Sequence, residues 1–514
     1  MCASSTRSTA EKRRRERDET TLRSRLAANP TPALKWFGVA LFLLALQFGA
    51  FLSGTMIVVE SIVLAVTAIV DLVVSTVWVG GAKAVIAFQQ TILGYTTGVF
   101  EVAQGIPTLL SRDVIPNQGW QTAANGPWKG SFMGLSPGMA WALRVGLIFA
   151  YAFFFAYWLY RGWLVFREHY RAADWTPRDD VIDRLRGHRW AEFGIVVVII
   201  YITMALFAPA LGPSTLDQNV QSPYSYEIKY FDEEAGEVAT VPAGDANFYS
   251  KSKGAGEENV APLTYDQYGR YHPFGTITNG RDLTTILMYG ARISLTVATI
   301  AIGLTAIIAT LLALISAYYG GTLDLIILTV ADGFVSVPIL LLLIMVGALF
   351  SNHWLANFMD GGFLIAVVYG IVAWPFLWRA IRGPAFQVAE QEWVDAAKSF
   401  GQRPLTIMRK HMFPYVAGYM MIYASLSFGA IIITLAALSF LNVGIQPPTP
   451  SWGRMVDLGR DYIAGPSWHI STIPGVLIVI VVTGLNALGD GLRDAIDPES
   501  EGGEETEAAA GGGA

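Results

Sequence analysis

Charge is scarce in this chain. Only 15% of its 514 residues are Asp, Glu, Lys or Arg, while 53% are hydrophobic, and the mean hydropathy is +0.43. A globular domain carries about 25% charged residues, so the deficit argues against a water-soluble domain and for a membrane protein. Cysteine is nearly absent. Cys2 stands alone, which excludes an intrachain disulfide framework or a thiolate metal site. The six histidines (169, 188, 272, 353, 411, 469) lie too far apart in sequence for a helical metal pair. There is no G-x-x-x-x-G-K-S/T phosphate loop, so ATP binding by that route is not expected. No nucleophile–histidine set or paired carboxylates stand out, and enzyme chemistry is not expected of this chain. Lysine is rare too: nine of the 35 basic residues, in a chain of net charge −6. An acidic loop and an acidic tail accompany that bias, which suits a high-salt organism or a compositionally skewed genome.

What is present is long apolar runs. A bilayer-spanning helix needs about 20 mostly apolar residues, and backbone groups in lipid must be satisfied internally. Six windows in the C-terminal two-thirds qualify, at about 193–211, 293–319, 325–350, 363–378, 416–441 and 472–489. The predicted fold is therefore an all-α polytopic membrane protein. Arg167, Arg171, Arg178, Arg184, Arg186 and Arg189 precede the first window, which places that side in the cytoplasm. Counting across, 212–292 is an external loop, 379–415 a cytoplasmic one, and both termini are cytoplasmic. The 379–415 loop carries six basic residues against three acids, whereas 212–292 holds the acidic runs Asp232-Glu233-Glu234 and Glu257-Glu258.

The expected layout follows: a basic cytoplasmic arm at 1–35, an accessory membrane region at 36–165, a cytoplasmic linker at 166–191, a core at 192–497 and an acidic tail at 498–514. The accessory region should hold an even number of spans. Four fit (36–54, 57–79, 84–104, 140–165), and two spans with amphipathic helices between them are the alternative. Glu60 and Asp71 interrupt its apolar run.

One segment raises a question of its own. Residues 393–414 read WVDAAKSFGQRPLTIMRKHMFP, a charged, helix-patterned stretch between two apolar runs. Trp393, Ala396, Ala397 and Phe400 recur at helical spacing and predict one apolar stripe, with Glu392, Asp395 and Lys398 toward the other face. Gly401 can end the helix in a left-handed conformation, and Pro404 is a second stop. A second short helix is predicted with Leu405, Met408 and Met412 on one side, closed by Pro414. The pattern suits a helix lying on the membrane surface, or one pressed into the groove of a cytoplasmic partner.

The segment resembles the EAA coupling signature of ABC-importer permeases. Asp395, Ala396, Ala397, Gly401 and Pro414 match by position, with Asp for Glu. YHPFGTITNGRDLTTILMYGARISL (271–295), AYYGGTLD (317–324), LSFLNVGIQPPTPSWGRMV (438–456) and NALGDGLRDAIDP (486–498) are similar to the dipeptide/oligopeptide permease subunit of the DppC/OppC type. Ile277 stands where the family usually has Asp, and Phe413 where Leu is usual. The resemblance covers about 186–498 and implies a six-helix type I ABC importer core, preceded here by two to four extra membrane helices. It further implies a second, DppB/OppB-like permease subunit, two ABC ATPase subunits that hold ATP and Mg, and an extracellular substrate-binding protein. The lipid bilayer surrounds the whole, no nucleic-acid partner is expected, and no cofactor belongs to this chain. In that frame Trp393, Asp395, Ala396, Ala397, Phe400, Gly401 and Pro414 couple the spans to the ATPases. The cargo would be peptides, with nickel chelates or oligosaccharides as alternatives. A stand-alone secondary transporter is the reading from another class, and it leaves the hairpin without a purpose.

Three further residues carry expectations. Asp332 lies inside the 325–350 window, about 12 Å in from its cytoplasmic end. Intramembrane ionisable groups are costly, so a polar contact with a partner permease is expected there. Arg292, at the start of a span, is expected to snorkel to the interface. Pro338 should kink its helix.

Overall fold

The computed structural model describes residues 21–52, 54–55, 108–171, 176–254 and 259–496, with isolated positions between 56 and 107. The expected spans at 57–79 and 84–104, Glu60 and Asp71, most of the basic arm and the acidic tail lie outside these residues. Six described helices are long and apolar enough to cross a bilayer, and two bent pairs raise the number to eight.

The first bent pair is α1 (Leu22–Ala28) and α2 (Thr31–Leu46), which meet at 95° around Pro30. The long helix α3 (Pro137–His169) packs beside α2. Trp36 and Trp158 each donate an indole N–H to the other's carbonyl, at 2.9 and 3.2 Å. Only 17% of the apolar window of α3 is buried, so α3 sits at the periphery. A capping box of Thr176 and Asp179 starts α4 (Pro177–Gly187), which leads into α5 (Arg189–Leu206) and the short α6 (Ala208–Leu211).

The 212–292 segment folds into a compact head. β1 (Glu227–Asp232) and β2 (Glu237–Pro242) form an antiparallel hairpin, with Glu227 opposite Pro242. Ile228, Tyr230 and Phe231 face Val241, Ala239 and Val238 across it, the β-branched and aromatic composition that strands favour. Asp232 closes its turn by accepting from the amides of Glu234 and Ala235. α7 (Ala243–Tyr249) follows, then the two-residue strands β3 (Thr264–Tyr265) and β4 (Tyr271–His272). The spans are thus helical as expected, and the loop adds two small hairpins.

α8 (Leu283–Tyr319) is capped by Asp282, whose side chain accepts from the Thr285 amide at 2.6 Å. Its 37 residues span about 55 Å, against about 30 Å of hydrocarbon. It begins at Leu283 rather than 293, so its first turns belong to the head. α9 (Gly321–Ser336) and α10 (Ile339–Leu349) form the second bent pair, at 78°. The break falls at Val337-Pro338, because proline offers no amide and its ring blocks the preceding turn. The stretch 354–389, 72% buried across its apolar window, is the central span; it contains α11 (Trp354–Asn357), α12 (Gly362–Val372) and α13 (Trp374–Ala389). Next come α14 (Glu392–Ser399), α15 (Pro404–Ile407) and α16 (Phe413–Phe440), then α17 (Trp452–Gly459) and α18 (His469–Ile496).

Polar side chains join the accessory region to the core. Arg144 on α3 is fully buried. It donates to the carbonyls of Ile115, Ala210 and Gly212 and to Asn117 Oδ1, at 2.7 to 3.2 Å. Arg112 adds a 2.8 Å bond to Gly212 O, and Trp141 a 2.8 Å bond to Leu211 O. Arg292 does not snorkel. It is 8% exposed and donates to Ala205 O and Leu206 O, both at 2.7 Å. The physical reason is the helix end between α5 and α6, whose final carbonyls have no intrahelical donor.

Inside the head, His272 sits between two carboxylates, Nδ1 2.8 Å from Asp282 and Nε2 3.4 Å from Asp266. Arg270 pairs with Asp266 at 2.6 Å. Burial alone would lower the His272 imidazole, but Asp266 and then Asp282 hold it above the usual histidine range. Burial opposes the charge on Asp266, yet Arg270 and His272 keep it well below the usual carboxylate range. Ser252, in the same head, is completely buried.

Candidate functional site: the 379–415 hairpin

The cytoplasmic stretch expected from 379 begins later, because 379–389 continue α13, and the hairpin itself starts with α14 at Glu392. α14 runs for two turns and stops at Gly401, whose φ is +70°. The Gly401 amide donates to Lys398 O at 2.9 Å and the Gln402 amide to Ala397 O at 3.2 Å. This pair of bonds is the Schellman arrangement, which needs a left-handed residue. An added Cβ on Gly401 would meet nothing within 4 Å, so the requirement for glycine is conformational alone. Arg403 turns the chain and Pro404 starts α15. Gln402 and His411 close the turn with a 3.1 Å hydrogen bond.

Pro414 does not close the return helix. It occupies the first turn of α16, which continues from α15 through a wide π-turn at Met408–Met412. The wide turn falls where the missing proline amide breaks the regular ladder.

The buried face also differs from the expected stripe. Val394 and Ala397 are the buried residues of α14. They pack with Ile407, Met408, Met412 and Val416 in one apolar cluster that includes Trp374–Ala389 side chains of α13. Of the four residues expected on one stripe, only Ala397 faces inward. Trp393 is 43% and Phe400 86% exposed, and Ala396 is exposed beside them. Leu405, expected beside Met408 and Met412, is 72% exposed. α14 therefore has two apolar stripes: one seats it on its own chain, and the other is left open to the surroundings. Asp395 pairs with Lys398 at 3.1 Å, Lys398 lies over the Tyr318 ring at the end of α8, and Trp393 stacks on Tyr415.

Asp332 has its partner inside the chain. It pairs with Arg379 of α13, and Asp324 likewise pairs with Arg382. Sequence spacing could not show that α9 and α13 lie side by side.

Residues 309–501 match the family model for the binding-protein-dependent transport system inner membrane component. Residues 176–227 match the N-terminal TM domain of oligopeptide transport permease C. The chain is 32% identical over 324 residues to the dipeptide transport system permease protein DppC of Alkalihalophilus pseudofirmus, covering 63% of this chain and 90% of that protein. It is 35% identical over 254 residues to the glutathione transport system permease protein GsiD of Shigella dysenteriae serotype 1, covering 47% of this chain and 80% of that protein. GsiD of Escherichia coli O157:H7 gives the same figures. With the break at Pro338, the glycine-stopped hairpin and a matched relative covered over most of its length, the chain belongs to the DppC/OppC-type family of ABC-importer permease subunits.

Proposed function

We propose that this chain forms half of a substrate path for di- or oligopeptides and transmits ATP-driven movement to it through the hairpin that starts at Glu392. The observation that carries the reading is the open stripe of Trp393, Ala396, Phe400 and Leu405, held on a hairpin with a fixed stop. An apolar stripe on a short helix fits a groove in a partner protein. The partner in this reading is a pair of cytoplasmic ATPase subunits, which carry ATP and Mg. Asp395, Gly401 and Pro414 shape the hairpin and perform no chemistry. A second permease subunit completes the path, and an external binding protein brings the substrate to the head. Both termini are cytoplasmic in this arrangement. Peptide cargo is favoured because the relatives named for dipeptide and glutathione transport both carry small peptides.

The test is uptake of a panel of labelled peptides into liposomes holding the complete complex. Uptake should require ATP, the ATPase subunits and the binding protein together. Uptake by this chain alone, driven by an ion gradient, would overturn the reading in favour of a secondary transporter.

A further inference from the structure

Three contacts join α9 to α13 in antiparallel order. Asp324 meets Arg382 with a bidentate pair, Asp332 meets Arg379, and Phe334 packs edge-on against Trp374 at 5.9 Å. The two aspartates are eight residues apart, about 12 Å along a helix. The Phe334 contact lies three residues before Val337, at the break. At its other end α13 stops at Ala389, just ahead of the hairpin helix that starts at Glu392. A continuous path therefore runs from the hairpin through α13 and α9 to the break. Beyond the break the company changes, because α10 packs on α12 and α16. The break thus separates a half-span packed on α8 and α13, which leads straight into α14, from a half-span packed on α12 and α16.

Asp332 and Arg379 are 60% and 40% exposed on this chain, among the exposed apolar residues Leu325, Ile326 and Val330. Charged groups at membrane depth face protein or water rather than lipid. Broken helices are tolerated in the same places. An exposed ion pair adds little to the stability of a fold, so stability does not account for this one.

We propose that the Asp332–Arg379 pair is a transmission latch. It makes α9 follow α13 when the hairpin moves, and so delivers that movement to the break at Val337-Pro338. Both are positioning residues, and the inference rests on the transport reading above. In liposomes holding the complete complex, Asp332→Asn and Arg379→Gln should each lower peptide uptake by about tenfold, a size typical of lost coupling between sites. ATP hydrolysis should stay within about twofold, because the hairpin face is untouched. The swap of Asp332→Arg with Arg379→Asp should recover most of the uptake. A packing role alone would not separate uptake from hydrolysis.

Normal uptake by both single variants refutes the latch, as does a swap no better than either. Where a single variant fails to assemble, a cysteine pair at 332 and 379, in a Cys2→Ser background and joined by a short bifunctional thiol reagent, replaces it. A latch that moves as one unit keeps its uptake when joined. Loss of uptake on joining, restored on release, shows that the pair must open and also refutes it. Import of no peptide by the wild-type complex, by contrast, overturns the transport reading itself.

Discussion

The two ends of this molecule are held by different forces. The head and its seam are fixed by buried directional bonds: Arg144 alone makes four hydrogen bonds, and Asp266, Arg270, His272 and Asp282 are bound to one another. The hairpin is seated by Val394, Ala397, Ile407 and Met412, with exposed polar contacts at its edges. Buried polar networks fix one geometry, whereas apolar contact is non-directional. The head is held in one geometry, whereas the hairpin leaves an apolar face open, the face that the proposed ATPase partner would cover. The accessory region belongs with the fixed end, since Arg112, Trp141 and Arg144 bond to the core segment 210–212.

The strongest way to break this contrast is Arg144→Met. It strips this donor from the Ile115 and Ala210 carbonyls and from Asn117, while Gly212 O keeps Arg112, and each buried acceptor left bare costs about 1–3 kcal/mol. A total loss of about 3 kcal/mol or more should appear as a lower melting temperature in detergent and as protease cleavage near 205–215. At the other end, Phe400→Asp with Leu405→Asp should leave melting almost unchanged, since exposed substitutions stay within about 0.5 kcal/mol. ATPase co-purification should nevertheless fall about thirtyfold, the effect of losing about 2 kcal/mol of interface energy.

Gly401→Val is a smaller perturbation. A left-handed conformation costs a β-carbon residue about 1–2 kcal/mol, so docking should weaken while insertion stays normal. Gly401→Asn should weaken it less, because asparagine tolerates that region better. The smallest effect is the pH response of the head. The folded His272 titrates above its unfolded value, so its contribution is complete below about pH 6.5 and fades as pH rises through the folded value. Melting of the wild type should decline as pH rises above about 6.5, and His272→Gln should flatten the decline.

The sequence is most readable where a residue acts through its own backbone. Pro338 announces the break and Gly401 the helix stop because each restricts or frees its own dihedral angles. It is least readable where a side chain acts on a distant segment. Arg292 looks like an interfacial residue, yet it satisfies helix-end carbonyls of α5, as Arg144 does for α6. Asp332 shows a charge but not its partner, 47 residues away. The hairpin's period was plain, but α14 carries two apolar stripes, and periodicity cannot tell which one faces the chain.

The most direct measurement is thiol labelling at the hairpin. Ser399 is exposed on the hairpin and Ser225 on the head. In a Cys2→Ser background, Ser225→Cys should react with an impermeant maleimide in intact cells. Ser399→Cys should react only in inside-out vesicles, and bound ATPase subunits should protect it. Labelling of Ser399→Cys in intact cells, or equal labelling with and without the ATPase subunits, would contradict a hairpin that docks a cytoplasmic partner.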